Sequence, residues 1–150
     1  DSDESDDTSE DSGVTPFTET ALPAVGSTYK TCFVLSVNSD VTPAEVVLLS
    51  PKEEVLGGTN METKMAGIEA ALERCALEGI QGWRVMNKQE NEALFSYRNA
   101  LSIATNSCYL YYNDSAELSS AKFATYKRSS TNFSDADILR PVATVKINIE

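Results

Sequence analysis

TNMETKMAGIEAALERCALEGIQGWRVMNKQENEALFSYRNALSIA, residues 59–104, carries the two periodic segments that decide the fold class. Thr59 and Glu62 have capping-box spacing, in which an N-cap side chain and the third helical residue satisfy each other's free backbone N–H groups. Met61, Met65, Ile68, Leu72 and Cys75 then recur three or four residues apart, the spacing of one buried helix face, and Gly79 is placed to end that helix. Gly82-Trp83-Arg84-Val85 reads as a short extended segment. Asn87 with Glu90 forms a second cap signature, followed by Leu94, Tyr97, Leu101 and Ala104 at helical spacing.

Strand signals lie on both sides of this pair. Tyr29–Val37 is rich in β-branched and aromatic residues and stops at the turn cluster Asn38-Ser39-Asp40. Ala44–Ser50, ahead of Pro51, reads as its hairpin partner. Gly57-Gly58 is the next break. Downstream, Ser107–Tyr112 reads as a strand running into an Asn113-Asp114-Ser115 turn, and Ala121–Lys127 as another strand. Leu139–Ile149 closes the chain, with Val142, Thr144, Lys146 and Asn148 alternating against Ala143, Val145, Ile147 and Ile149. Strands, two helices, then strands predict an α+β domain with both helices packed on a mainly antiparallel sheet. At 150 residues the chain has room for one such domain, set at 27–150, after a disordered acidic tail and linker over 1–26.

The charge balance excludes several functions. There are 23 acidic against 12 basic side chains, a net −11, and no histidine. A chain this acidic is poorly matched to a phosphate backbone, so no nucleic-acid partner is expected. Without histidine there is neither a Ser-His or Cys-His catalytic pair nor an imidazole metal ligand. Cys32, Cys75 and Cys108 lie far apart with no C-x-x-C spacing, so neither a metal site nor a cofactor is expected. Three buried unpaired thiols are the first reading and one disulfide the second. No glycine-rich phosphate loop is present, and no apolar run approaches the length that spans a bilayer.

The acidity is concentrated. Residues 1–12, DSDESDDTSEDS, hold seven carboxylates and no base, and the rest of the chain carries a net −4. Such a segment has nothing to bury and repels itself, so a solvated tail is expected. It resembles the export-directing acidic run that follows the lipidated cysteine of some Gram-negative surface lipoproteins. That resemblance implies an outer-membrane surface or otherwise extracytoplasmic protein, touching the membrane only through a lipid anchor ahead of Asp1 that was removed with the signal. A plain solubilising tail is the alternative.

Residues 79–94, GIQGWRVMNKQENEAL, resemble the "GWRLPTKxE…AL" signature of a domain family of secreted bacterial lipoproteins and surface proteins. This family of major paralogous domains includes the C-terminal domain of the collagen-like adhesin Lcl. Tyr109–Tyr112 answers to its aromatic strand and Leu139-Arg140-Pro141-Val142 to its closing strand, so the likeness covers roughly residues 44–149. Met86-Asn87 stands where Pro-Thr is usual, and Tyr111-Tyr112 where Trp-Ser is. The resemblance implies a C-type-lectin-like fold. A fimbrillin-like β-sandwich is the alternative architecture. The calcium and sugar motifs of true C-type lectins are missing apart from a faint Tyr112-Asn113-Asp114.

The residues themselves support two sets of roles. Trp83 is expected as a core anchor with its indole N–H on a carbonyl, Arg84 as an ion-pair partner under the sheet, and Asn87 as a helix cap. Tyr109, Tyr111 and Tyr112, with Asn113 and Asp114, combine stacking surface with polar tips and are the candidate contact residues. Arg140 either joins them or pairs with Asp135 or Asp137. Asp114-Ser115-Ala116 also has the form of a bacterial O-glycosylation acceptor. These features predict a non-catalytic binding or adhesion domain whose partner is a glycan or an envelope or host protein. A structural pilus or surface-layer component is the second reading, and a carboxylate-dependent glycan hydrolase the third.

Overall fold

A computed structural model describes residues 16–75, 79–124, 127–129 and 133–150. Along them run β1 (Phe17–Glu19), β2 (Thr28–Tyr29), β3 (Cys32–Asn38), β4 (Ala44–Leu49), β5 (Glu54–Leu56), α1 (Met61–Arg74) and α2 (Lys88–Ser96). Then follow β6 (Cys108–Tyr112), β7 (Leu118–Lys122), β8 (Lys127–Ser129), β9 (Asp137–Leu139) and β10 (Val142–Ile149). The chain is α+β with two helices, as the periodicity predicts, but the strands form two sheets instead of one. Their orders are β1-β10-β4-β3-β2 and β5-β9-β6-β7-β8. Pairing is antiparallel except for β1 on β10 and β6 on β9.

Three local departures from the sequence reading have identifiable causes. The expected strand Tyr29–Val37 is a tight hairpin: Tyr29 pairs with Cys32, and both turn residues have positive φ (Lys30 51°, Thr31 68°). That is the geometry of a two-residue primed turn, made here by Lys-Thr without the Asn-Gly signal that usually marks it. The closing run Leu139–Ile149 is split at Arg140-Pro141, where proline offers no N–H to a ladder; β9 belongs to one sheet and β10 to the other. Residues 16–26, read as linker, contain β1, which lies parallel to β10 with Phe17 opposite Ile147. The acidic residues 1–12 lie outside the described residues.

Core packing follows from the two sheets. Leu35, Leu49 and Val142 of the first sheet meet Tyr109, Tyr111, Ala121 and Ile138 of the second, with Met86 and Leu94 of the α2 region filling between them. A shift in the β3–β4 register between Val34 and Ser36 frees Leu35 from the ladder as a bulge. As a result Val34 and Leu35, adjacent in sequence, are both buried but in different clusters. On the other face of the first sheet Val34, Leu48, Val145 and Ile147 pack with Ile80. Ile68 and Ala71 of α1 lie on Leu110, Leu118 and Leu139 of the second sheet.

The helix boundaries move as well. Asn60, not Thr59, caps α1, its side chain accepting from Thr63 N. α2 has the full reciprocal capping box, with Asn87 Oδ1 accepting from Glu90 N and Glu90 Oε1 from Asn87 N, both at 2.8 Å. It ends at Ser96, so Tyr97 and Leu101 lie beyond it in successive turns. The expected strand Ala121–Lys127 is instead the end of β7 and the start of β8.

Candidate functional site

The segment Arg84–Asn87 stitches the sheets together, and this fixes where the candidate residues lie. Arg84 exchanges both backbone hydrogen bonds with Val142 of β10 (2.8 and 2.9 Å), while Tyr112 N of β6 donates to Met86 O at 2.9 Å. Arg84 also holds Glu90 through two 2.8 Å contacts and donates to Thr144 Oγ1 at 2.9 Å. The buried Glu90 carboxylate holds the guanidinium firmly protonated, and Glu90 simultaneously completes the α2 cap. Trp83 packs on the cluster around Ile80, but its Nε1 is shielded from solvent and finds no acceptor among the described residues. The expected carbonyl partner is therefore absent among the described residues.

The tyrosines separate. Tyr109 and Tyr111 are buried in the inter-sheet core, since β6 is an inner strand covered on both faces. Neither presents a stacking surface, which corrects the expectation that they contact a ligand. Tyr109 Oη donates to Glu53 Oε1 at 2.9 Å, and Arg140 Nη1 reaches the same oxygen at 3.0 Å. Burial, then the Glu53 charge, push the Tyr109 hydroxyl well above its ordinary range. Arg140 Nε donates to Ser50 O. Its partners are thus Glu53 and Ser50 in place of the expected Asp135 or Asp137, because Pro141 leaves the guanidinium beside the segment that follows β4.

Tyr112, Asn113 and Asp114 remain together at the β6–β7 turn. Asn113 Oδ1 accepts from Ser115 N (2.9 Å) and Glu117 N (3.0 Å), and its Nδ2 donates to Ser119 Oγ at 3.1 Å, so its side chain builds the turn. Asp114 pairs with Lys88 Nζ at 3.1 Å. Ala116 holds φ +60°, a left-handed conformation that costs a non-glycine residue about 1 kcal/mol. The turn closes one side of an open groove of about 370 Å³, lined by Met61, Met65, Tyr112, Ala116, Glu117 and Leu118. Tyr112 Oη lies 3.8 Å from Met65 Sδ across it.

The methionines of this groove are what the sequence reading missed. It placed Met61 and Met65 on the buried face of α1, yet they are 41% and 39% exposed. The stripe that is buried runs Lys64, Ile68, Ala71 and Cys75. Lys64 is fully buried, donating to Leu56 O (2.8 Å) and Ser134 O (2.6 Å), with Asp137 Oδ2 at 3.3 Å. A lysine at the head of an otherwise apolar i, i+4, i+7, i+11 series was the available signal, masked because lysine is almost never fully buried unless paired.

Cys32 and Cys75 are buried and Cys108 half-buried, all three unpaired, and burial raises each thiol above its ordinary value. Among the described residues no group of three Cys, Asp or Glu side chains is arranged to hold a metal ion, and no helix is long and apolar enough to cross a membrane. A second hollow of about 250 Å³ lies between the β3 bulge and the start of α2, lined by Leu35, Ser36, Asn87, Gln89, Glu90 and Ala93. No protein-family model matches the chain, and no curated protein matches it.

Proposed function

We propose that this chain is a non-catalytic recognition domain of C-type-lectin-like type, displayed outside the cytoplasm by a lipid-anchored bacterial surface protein, with a glycan or an envelope or host protein as its ligand. The observation that carries the reading is the groove between α1 and the β6–β7 turn. There two exposed methionines and a half-buried tyrosine face solvent together. Flexible thioethers beside an aromatic ring with a polar tip make an adaptable contact surface. A clustered apolar patch marks a binding site more often than isolated exposed side chains do. The order of a helix, a Gly-Trp-Arg segment, a capped helix, an aromatic strand and a closing strand supports the fold assignment. The acidic run of residues 1–12 supports the surface location.

The burial of Tyr109 and Tyr111 shifts the expected contact residues to Met61, Met65 and Tyr112. The test is to apply the labelled chain to a glycan array and to arrayed envelope and matrix proteins, beside a Met61→Ser/Met65→Ser/Tyr112→Ala variant. Binding by the native chain that the variant loses supports recognition through this groove. Binding retained by the variant moves the site elsewhere, and no binding to either array defeats the reading. A structural subunit is the second reading, favoured by the two five-stranded sheets that share one apolar interface. It requires the chain to assemble into polymers, which light scattering detects.

A further inference from the structure

Resting on that reading of the groove, we propose that its ligand is a polypeptide segment in which an aliphatic or aromatic anchor is flanked by lysine or arginine. The apolar part comes from the lining: Met61, Met65, Tyr112 and Ala116 offer thioether, ring and methyl surface to a side chain, over a floor closed by the buried Leu118. The cationic part comes from what borders it. At 100° per residue, Glu62, Glu69 and Glu73 lie 40–80° around α1 from Met65, on the side away from the buried stripe of Ile68, Ala71 and Cys75. All three are exposed: Glu62 lies beside the methionines, and Glu69 and Glu73 continue their i, i+4 ridge about 6 and 12 Å beyond Met65. Glu117 contributes a further carboxylate from the facing turn. Lys88, the cation beside the Asn87–Tyr112 bridge, is occupied by Asp114 at 3.1 Å.

This charge pattern also discriminates among occupants. Residues 1–12 of the chain itself carry seven carboxylates and no base, and would be repelled by these glutamates. A second copy placing the same face on this one would oppose glutamates to glutamates. A neutral glycan would gain nothing from these exposed carboxylates. A basic, apolar segment satisfies both halves of the surface: its anchor fills the groove while its cations meet the rim, where they speed encounter and suppress wrong partners.

The experiment selects a random phage-displayed dodecapeptide library on the full chain, with counter-selection on Met61→Ser/Met65→Ser, two exposed positions whose change leaves the core intact. Enriched peptides are expected to combine one large apolar residue with at least two Lys or Arg. Their affinity is expected to fall roughly tenfold on Glu62→Gln/Glu69→Gln/Glu117→Gln and to weaken with added salt. Enrichment of neutral or acidic peptides, or affinity indifferent to the glutamate substitutions, overturns the charge assignment while leaving the groove as the site. Failure to enrich any peptide, with a glycan bound in the array experiment, overturns the peptide ligand but not the recognition reading. Failure of both overturns both.

Discussion

Replacing Lys64 by methionine should destabilise the domain by about 4 kcal/mol, because breaking a buried ion pair from one side leaves the other charge uncompensated. The geometry sets that figure. Lys64 is fully buried and supplies hydrogen bonds to Leu56 O and Ser134 O as well as the charge facing Asp137 Oδ2. Without it Asp137 keeps Ser134 N (2.9 Å) and Ser134 Oγ (3.2 Å), but a buried carboxylate remains with no cation among the described residues. The buried Leu56 O also loses the lysine donor, at about 1–3 kcal/mol for a buried group left unsatisfied, whereas Ser134 O keeps Asp137 N at 3.5 Å. Methionine matches the lysine stem, so the cavity contribution is small. Against a total stability of about 5–15 kcal/mol the loss is large, and it corresponds to a fall in Tm of about 10 °C. Urea unfolding at pH 7, followed by Trp83 fluorescence and far-UV circular dichroism, measures it. Asp137→Asn and the double variant complete a thermodynamic cycle, in which the double variant should lose at least 1 kcal/mol less than the two single losses together. A Lys64→Met protein within 0.5 kcal/mol of the native chain, or single losses that add within 0.3–0.5 kcal/mol, would refute the reasoning.

Asn87→Ala should cost about 1 kcal/mol through loss of the α2 cap, and Asn87→Ser should restore most of it, as read by urea midpoints. Glu90→Gln should cost more than Asn87→Ala, because the same carboxylate also holds Arg84 against the β10 side of the inter-sheet stitch. An equal or smaller loss would mean that the Arg84 pair contributes nothing. Tyr109 has a raised hydroxyl pKa, so the folded state keeps its proton while the unfolded state releases it above its ordinary value of about 10. Its contribution to stability is therefore complete below pH 10 and declines as pH rises beyond it. The stability gap between the native chain and Tyr109→Phe, measured at pH 8 and pH 11, should narrow at the higher pH. A gap that stays constant would show that Tyr109 does not titrate differently on unfolding.

Much of this architecture was legible locally. The Asn87–Glu90 box needs only four consecutive residues, because capping joins side chains to backbone groups one turn away. The alternation of β10 likewise reports itself, with Ala143, Val145 and Ile147 buried on one face. Two-sheet topology was not legible: Pro141 marks an edge or a strand start in the closing run, but which sheet each half joins depends on neighbours far along the chain, and Lys30-Thr31 lacks the usual turn residues. The candidate site was half legible. Tyr112 to Asp114 fall at one turn as expected, whereas Tyr109 and Tyr111 are claimed by the core and Met61 and Met65 are released from it.

The sequence by itself determined the class of the domain, both helices, the cap of the second and the confinement of excess charge to the first twelve residues. Each of these follows from side chains within a turn or two of one another. Only the tertiary structure decided which tyrosine reaches solvent, which face of α1 is buried, and that Lys64 lies at its centre. Those outcomes depend on partners far along the chain: Asp137 stands seventy-three residues from Lys64, and no local pattern announces that a buried charge has found its counter-ion.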